Sequence, residues 1–210
     1  LAIDASDKGR ALINGDQTGQ GKGRVVAAMA RYAALRGWPI VFMTEKANLF
    51  SDLWRDIEDI DSTALFKPFM VNDGVEIRSQ DNERAFAPTR KKEVDRLISE
   101  FTSPDDAGFN LTFATYSQVN RAADGSKKAQ WFVECAAKSA FLILDESHNA
   151  AGQSNTAENV ATAILNARSA MYSSATYAKT AKSMRAYAKA FPEGVCDDNL
   201  AETLAVGQTA

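Results

Sequence analysis

Short apolar runs alternate along this chain with segments whose apolar residues recur at helical spacing. Apolar side chains fall every three or four positions over residues 22–35, which predicts a helix that ends before Gly37. The continuous apolar run at 39–43 predicts a short buried strand, and residues 48–60 predict an amphipathic helix. This alternation indicates a mostly parallel sheet with helices on both faces.

The remaining elements follow the same rules. Further strands are predicted at 11–14, 109–115 and 141–144, with one or two short strands within 67–78, around the turn residues at 72–74. Further helices are predicted at 89–101, 129–138, 156–167 and 179–190, the first of them capped by Thr89. The fold class expected is therefore α/β, because strands and helices take turns along the chain.

A glycine-rich loop at residues 16–23 joins the first strand to the first helix. The order strand, glycine-rich turn, lysine and helix is how proteins hold nucleotide phosphates, because backbone N–H groups and the positive helix N-terminus face the anion. Gly19 and Gly21 stand where the backbone must approach the phosphates, and Lys22 adds a charge for the β- and γ-phosphates. The loop therefore predicts a nucleotide site.

The loop departs from the usual phosphate-binding pattern at both of its ends. Asp16 stands where that pattern has glycine, and Gly23 stands where it has the serine or threonine whose hydroxyl binds Mg²⁺. With one metal ligand lost, we expect weaker Mg²⁺ binding, in which a water takes the place of the hydroxyl. Taken alone, the loop is also compatible with a plain glycine-rich turn.

A pair of acids follows the buried strand predicted at 141–144. Asp145 and Glu146 end an apolar run, where carboxylates are costly unless a cation or solvent meets them. At the carboxyl edge of an open α/β sheet both acids would face the ligand crevice. We therefore expect Asp145 to bind Mg²⁺ and Glu146 to orient and deprotonate the attacking water. The alternative is a strand that simply ends in a polar turn.

Three motifs together resemble a known superfamily. The segments 17–22, 145–148 and 174–176 are similar to motifs I, II and III of superfamily 2 helicases, in the order in which that family has them. The loop, with Asp16 at its start and Gly23-Arg24 after the lysine, resembles the strawberry-notch-type helicase-like ATPases. The segment 115–117 resembles the end of the Ser-Thr-Tyr-Ser segment of that branch, with Ala114 in place of the first serine.

The resemblance, which spans residues 9–190, implies a RecA-like, P-loop NTPase sheet and a role for each motif. The ATP-binding residues that it implies are Gln17, Thr18, Gly19, Gln20, Gly21, Lys22, Gly23 and Arg24. The catalytic residues are Lys22, Asp145 and Glu146, with Asp145 as the metal ligand, and the cofactors are ATP and Mg²⁺. His148 is expected to couple the nucleotide site to Ser174 and Thr176, although a lone histidine is also compatible with a plain polar role.

Nucleic-acid contacts are implied at the ends of other strands. By analogy they fall on Thr44, Lys46, Thr115 and Tyr116, with DNA a better expectation than RNA. Hydroxyls and backbone N–H groups at such places contact phosphates without reading sequence. The alternative, that these are ordinary strand-end residues, carries equal weight. The net charge of −3 argues against bulk electrostatic binding of nucleic acid but leaves room for a local basic track.

Length and composition bound the domain organisation. The chain of 210 residues, 45% of them apolar, suits one ATP-binding lobe over 1–190, followed over 191–210 by a peripheral tail or the start of a linker. No apolar run approaches the roughly 18 residues of a membrane span. Two distant cysteines favour a reducing compartment, so we expect a cytoplasmic protein, or a nuclear one in a eukaryote. The start at Leu1 leads us to expect a fragment.

The expected function is the ATP-binding and hydrolysing lobe of a superfamily 2 helicase or translocase that acts on nucleic acid. In that family a second RecA-like lobe supplies arginine fingers, which are worth about 10³–10⁵ in rate. Nothing in this chain resembles the second lobe, so we expect the isolated lobe to bind ATP but hydrolyse it slowly. The alternative is a non-hydrolysing, nucleotide-gated scaffold that binds DNA or a protein partner. Glu146 favours the enzyme, since a pure switch would not need it.

Overall fold

The computed structural model describes residues 1–15, 21–150, 154–174, 186–187 and 189–191. Its strands are β1 (Ala11–Asn14), β2 (Ile40–Thr44), β3 (Pro68–Met70), β4 (Ile77–Arg78), β5 (Arg84–Phe86), β6 (Leu111–Thr115), β7 (Phe141–Asp145) and β8 (Ser169–Ser173). Its helices are α1 (Ala2–Asp7), α2 (Lys22–Leu35), α3 (Leu49–Asp59), α4 (Lys91–Glu100), α5 (Lys127–Trp131) and α6 (Asn155–Asn166). None of these helices is long and apolar enough to cross a bilayer. The helix predicted over 179–190 falls mostly outside the described residues.

A six-stranded parallel sheet in the order β1-β8-β7-β2-β6-β3 forms the centre of the molecule. Parallel neighbours cannot be joined by tight hairpins, so the chain crosses over the sheet between them, mostly through helices. The short strands β4 and β5 form a separate antiparallel pair. The structure is thus the mostly parallel α/β fold, with helices on both faces of the sheet, that the alternation predicted.

Successive side chains of the central strands point into two different cores. Ile40 and Phe42 of β2 belong to one core, together with buried residues of α2 and α3. Val41 and Met43 belong to the other core, together with buried residues of α4, α5 and α6. Because both faces of the sheet are covered, almost every residue in the central strands is apolar. Polar side chains at the end of such a strand therefore indicate the place where the strand leaves the two cores.

The prediction that Thr89 caps the following helix is wrong. Helix α4 begins at Lys91, and Arg90 occupies its N-cap. The Thr89 hydroxyl instead accepts a hydrogen bond from the backbone N–H of Met70 at 2.8 Å. It therefore satisfies a backbone donor at the end of β3, which the local sequence around Thr89 does not reveal.

Two short segments also differ from prediction. The residues of β5 pair with β4, although the pattern indicated no strand at 84–86. Helix α5 begins earlier than predicted, because Ser126 Oγ caps it by accepting a hydrogen bond from Ala129 N at 3.3 Å. It then passes into a π-helical turn at Phe132–Ala136 rather than continuing as an α-helix to residue 138.

Candidate functional site

The carboxyl ends of neighbouring strands carry a row of polar residues. In spatial order these are Asn14, Ser173, Asp145, Thr44 and Thr115. The strand register sets Asp145 opposite Ser173 and Thr44 opposite Thr115. Buried apolar strands that end together in polar side chains form the crevice in which open α/β sheets bind ligands.

Asp145 is fixed at the end of β7 by hydroxyl groups of the strands on either side. Thr44 Oγ1 donates to Asp145 Oδ2 at 3.2 Å. Burial raises the pKa of the Asp145 carboxyl and the nearby Glu146 raises it further, while hydrogen bonds from Thr44 and Ser173 oppose the shift. A carboxylate desolvated in this way is stabilised by a bound cation.

Glu146 adopts a backbone conformation that residues with a side chain rarely take. Its φ is +46°, in the left-handed region, which costs a non-glycine residue about 1–2 kcal/mol. The Glu146 side chain is 39% exposed, and its Oε2 lies 3.3 Å from Nδ1 of His148. The strained turn thus places a solvent-accessible carboxylate directly after the half-buried Asp145.

His148 connects this acidic segment to the residue that follows β8. Its Nδ1 lies 2.9 Å from Ser174 Oγ and 3.3 Å from Glu146 Oε2. The predicted partners His148 and Ser174 are therefore in direct contact. Thr176, the third residue of the predicted coupling set, falls outside the described residues.

Lys22 and Asp145 line the same cavity, although they are far apart in the chain. The cavity measures about 210 Å³, and its walls are formed by Lys22, Gly23, Val26, Phe42, Leu49, Asp52, Leu53, Asp56, Asp145 and Ser173. The chain enters α2 through Gly21, whose φ of +77° favours glycine. The predicted ATP-binding residues Gln17, Thr18, Gly19 and Gln20, with Asp16 before them, lie outside the described residues.

The N-terminus of α2 is suited to an anion. Within the described ranges, no side chain caps this helix, and its first turn contains no acidic residue. The first N–H groups of a helix have no partner inside the helix, and they carry the positive end of its dipole. The side chain of Arg24 is engaged elsewhere, since its Nη2 lies 3.2 Å from Asp59 Oδ2 on α3. The predicted role of Arg24 in ATP binding stays a prediction.

Most of the side chains expected to contact nucleic acid are buried. Thr44, Thr115 and Tyr116 are 0%, 3% and 5% exposed. Thr44 donates to the Asp145 carboxylate, and the Tyr116 hydroxyl donates to the Asp145 backbone oxygen at 2.7 Å. These hydroxyls are therefore engaged inside the protein in this structure, and the nucleic-acid role of Thr44, Thr115 and Tyr116 stays a prediction. Lys46 is exposed, and its role stays a prediction.

Two acids of α3 reach the cavity without having been predicted. Asp52 and Asp56 are four residues apart and so lie on one flank of the helix. That spacing is the only signal in the sequence, and it fits a solvated helix face equally well. Asp52 forms an ion pair with Arg55, whereas Asp56 has no hydrogen bond or ion pair with any described residue.

The oxygen atoms around the cavity suit Mg²⁺, the metal that the motifs led us to expect. In the part of the chain that the structure describes, no group of three or more His, Cys, Asp or Glu side chains is arranged to hold a metal by itself. Mg²⁺ does not need such a group, since it is held by one or two carboxylates together with substrate phosphates and water. Asp145, Asp56 and the Ser173 hydroxyl are donors of this kind.

Comparisons with known proteins agree with this geometry. A protein-family model described as "P-loop containing NTP hydrolase pore-1" matches residues 4–191. No curated protein matches the sequence significantly. Among solved structures, the chain is similar to the Sulfolobus solfataricus SWI2/SNF2 ATPase core in complex with dsDNA, at a TM-score of 0.61 and 11% identity. That match covers 99% of this chain and 37% of the ATPase core. At this identity it shows the shared fold.

Proposed function

Since the chain belongs to the family of P-loop containing NTP hydrolases, we propose that it is the ATP-binding and hydrolysing lobe of a superfamily 2 helicase-like motor that acts on DNA. The observation that carries the proposal is the single cavity lined by both Lys22 and Asp145. Within the superfamily we assign the chain to the strawberry-notch-type branch, on the basis of Asp16 and Gly23-Arg24.

Binding of the triphosphate falls to the start of α2. Lys22 and the uncapped N–H groups of the first turn supply positive charge on one side of the cavity. Asp145 and the Ser173 hydroxyl supply oxygen donors on another side, where they would hold Mg²⁺. When bound, Mg²⁺ neutralises charge on the β- and γ-phosphate oxygens.

Hydrolysis requires a base beside the phosphate site. Glu146 follows Asp145 directly and is exposed enough to orient a water and take its proton. His148 contacts the Glu146 carboxylate and the hydroxyl of Ser174, the residue after β8. A shift of the Glu146 side chain would therefore be transmitted through His148 to Ser174. We assign His148 and Ser174, with Thr176 beyond them, to the coupling of the nucleotide site with the remainder of the motor.

The proposed motor needs parts that this lobe does not contain. We place the lobe at 1–190 and a tail or linker at 191–210, followed in the whole protein by a second RecA-like lobe. Arginine fingers from such a lobe contribute about 10³–10⁵ in rate, so the isolated lobe should turn over ATP slowly. Exposed Lys46, after β2, is the residue here that we assign to DNA phosphate contact.

The experiment that tests the proposal measures nucleotide binding and phosphate release by the 210-residue chain. A fluorescent mant-ATP titration gives the affinity, and a phosphate-release assay gives the rate. Lys22→Ala should abolish detectable binding, whereas Lys8→Ala, which removes an exposed lysine paired with Asp4, should leave it unchanged. Glu146→Gln should bind ATP normally and release no phosphate above background.

The results distinguish an ATPase from a nucleotide-gated scaffold that does not hydrolyse ATP. Slow phosphate release that Glu146→Gln abolishes supports the ATPase. ATP binding with no phosphate release, even when labelled duplex DNA is added, indicates the nucleotide-gated scaffold instead. If Lys22→Ala and the wild type bind mant-ATP equally well, the cavity is not the nucleotide site and the proposal fails. Anisotropy of the labelled duplex, compared between the wild type and Lys46→Ala, tests the DNA assignment separately.

A further inference from the structure

The start of α2 lacks the side chain that usually binds the metal in phosphate-binding loops. Gly23 follows Lys22 at the position where the usual pattern has a serine or threonine hydroxyl. A Cβ atom built on Gly23 would lie 2.7 Å from Cγ of Asp56 and closer still to one of its carboxylate oxygens. The carboxylate of Asp56 therefore occupies the space into which a side chain at position 23 would extend.

The packing of α3 holds Asp56 in this position. One face of α3 is anchored in the core by Phe50, Leu53, Trp54 and Ile57, all of them fully or almost fully buried. This anchoring sets the rotation of the helix, so the flank that carries Asp56 is directed at the start of α2. The core packing thus sets the direction in which the Asp56 side chain leaves α3.

Asp56 also lacks the partners that its neighbours have. Asp52 pairs with Arg55 and Asp59 pairs with Arg24, whereas Asp56 has no hydrogen bond or ion pair with any described residue. Burial raises the pKa of the Asp56 carboxyl and the nearby Asp59 raises it further, while Arg24 and Arg55 oppose the shift. A half-buried carboxylate without a partner is destabilising unless a cation joins it.

We propose that Asp56 supplies the metal-side oxygen that Gly23 lacks, so that Asp56 acts with Asp145 in holding the Mg²⁺ of the bound nucleotide, directly or through water. This inference rests on the proposed function, since it assumes that the cavity binds a nucleotide. It adds a metal-binding residue on α3, outside the three motifs that identified the site. It also gives a reason for glycine at position 23, because any larger residue there would displace the carboxylate.

A charged ligand in place of a hydroxyl has a consequence that can be measured. Without metal, the Asp56 carboxylate repels the nucleotide phosphates, and with metal it attracts the Mg²⁺–nucleotide unit. Binding should therefore depend more steeply on Mg²⁺ in the wild type than in a variant without this charge. Removing the charge should weaken metal binding and leave metal-free nucleotide binding equal or tighter.

The experiment compares Asp56→Asn with Asp52→Asn in the 210-residue chain. Asp52 lines the same cavity but is paired with Arg55, so it is the matched control. Binding of a mant-labelled, non-hydrolysable ATP analogue is titrated in EDTA and in Mg²⁺, and Mn²⁺ binding to the protein–analogue complex is followed by electron paramagnetic resonance. For Asp56→Asn we expect Mn²⁺ affinity to fall at least about tenfold, with metal-free analogue binding no weaker than in the wild type.

A second variant guards against a merely structural effect. In Gly23→Ser/Asp56→Ala the usual hydroxyl is present and the carboxylate that would clash with it is gone. If Asp56 acts as the metal-side ligand, this double variant should bind Mn²⁺ more tightly than Asp56→Ala alone. Equal Mn²⁺ affinity in Asp56→Asn, Asp52→Asn and the wild type would overturn the inference while leaving the nucleotide site in place. If the wild type binds the analogue neither in EDTA nor in Mg²⁺, the proposed function is overturned instead, and the inference with it.

Discussion

From the contact between Gly23 and Asp56 we predict that Gly23→Ala, which adds a methyl group, changes the stability of the protein in opposite directions in two backgrounds. It should destabilise the wild type and stabilise the Asp56→Ala variant. In an ordinary helix, replacing glycine by alanine stabilises by about 0.5–1 kcal/mol. At Gly23 the new Cβ would lie 2.7 Å from Asp56 Cγ, against the 3.4–4 Å of an ordinary contact. Either the carboxylate must leave its position or α2 and α3 must separate.

The expected magnitude follows from these two opposing effects. Overpacking costs about 1–3 kcal/mol in a core, and because the half-buried Asp56 carboxylate can rotate toward solvent, the lower part of this range, about 1–2 kcal/mol, is expected, which still exceeds the helical gain. Gly23→Ala should therefore lower the free energy of unfolding by about 1 kcal/mol in the wild-type background. In the Asp56→Ala background the clash is gone, so the same change should raise the free energy of unfolding by about 0.5–1 kcal/mol. The interaction energy between the two sites is then about 2 kcal/mol.

Urea unfolding followed by tryptophan fluorescence measures these differences, since the chain has three tryptophans and Trp54 lies on α3 itself. The m-values of the variants should agree, so that midpoint shifts report stability. Gly125→Ala is the matched control, because a Cβ there meets nothing within 4 Å. If Gly23→Ala stabilises the protein equally with and without Asp56, the carboxylate does not occupy the space beside Gly23. The structural basis for its role in metal binding would then be lost.

The remaining predictions concern the acidic segment after β7. Tyr116→Phe should lower the free energy of unfolding by about 1–2 kcal/mol in chemical denaturation, because it leaves the buried backbone oxygen of Asp145 without its 2.7 Å hydrogen bond. Asp145→Asn should unfold at a higher temperature than the wild type at pH 7, since burial raises the pKa of this carboxyl above its unfolded value and its ionisation then disfavours the fold. That advantage should shrink in thermal melts as the pH falls through the raised pKa, and it should vanish below the ordinary aspartate pKa of about 3.9, where the wild-type carboxyl is protonated in both states. His148→Ala and Ser174→Ala should reduce phosphate release without additivity in a double-mutant cycle, and full additivity would exclude a shared role for their 2.9 Å contact.

The sequence predicted those parts of the fold and site that depend on local patterns. The helix predicted over 22–35 matches α2, and the apolar run before Asp145 matches β7, because hydrophobic periodicity is written directly in the chain. The meeting of Lys22 with Asp145 also followed from sequence, since Lys22 opens the helix that follows β1, Asp145 ends β7, and the carboxyl ends of parallel strands lie on the same side of a sheet. The order of strands and helices along the chain, together with a parallel sheet, was sufficient to predict that these two residues line one cavity.

Contacts between distant elements could not be predicted in the same way. Thr89 has the composition of a helix cap, but its hydroxyl is taken by a backbone donor of β3. Thr44 and Tyr116 have hydroxyls suited to phosphate, but the fold turns them inward to Asp145. Asp56 on its helix is indistinguishable from a solvated acid until the packing of α3 against α2 is known. In each case the role of the side chain is decided by a contact with a residue far away in the sequence, whereas the residues next to it in the sequence suggest a different role.

Three groups that are unfavourable for folding lie together at the carboxyl edge of the sheet or on the wall of its cavity. Asp145 is desolvated, Glu146 holds a left-handed backbone, and Asp56 is half-buried without a partner among the described residues. Each feature costs folding free energy, and their position in one region is typical of a binding site rather than of scattered packing defects. A positively charged metal beside Asp145 and Asp56 would relieve the cost at both carboxylates, whereas the strain at Glu146 would stay. The site is therefore expected to gain most of its stability from the metal and to keep its strained base whether or not the nucleotide is bound.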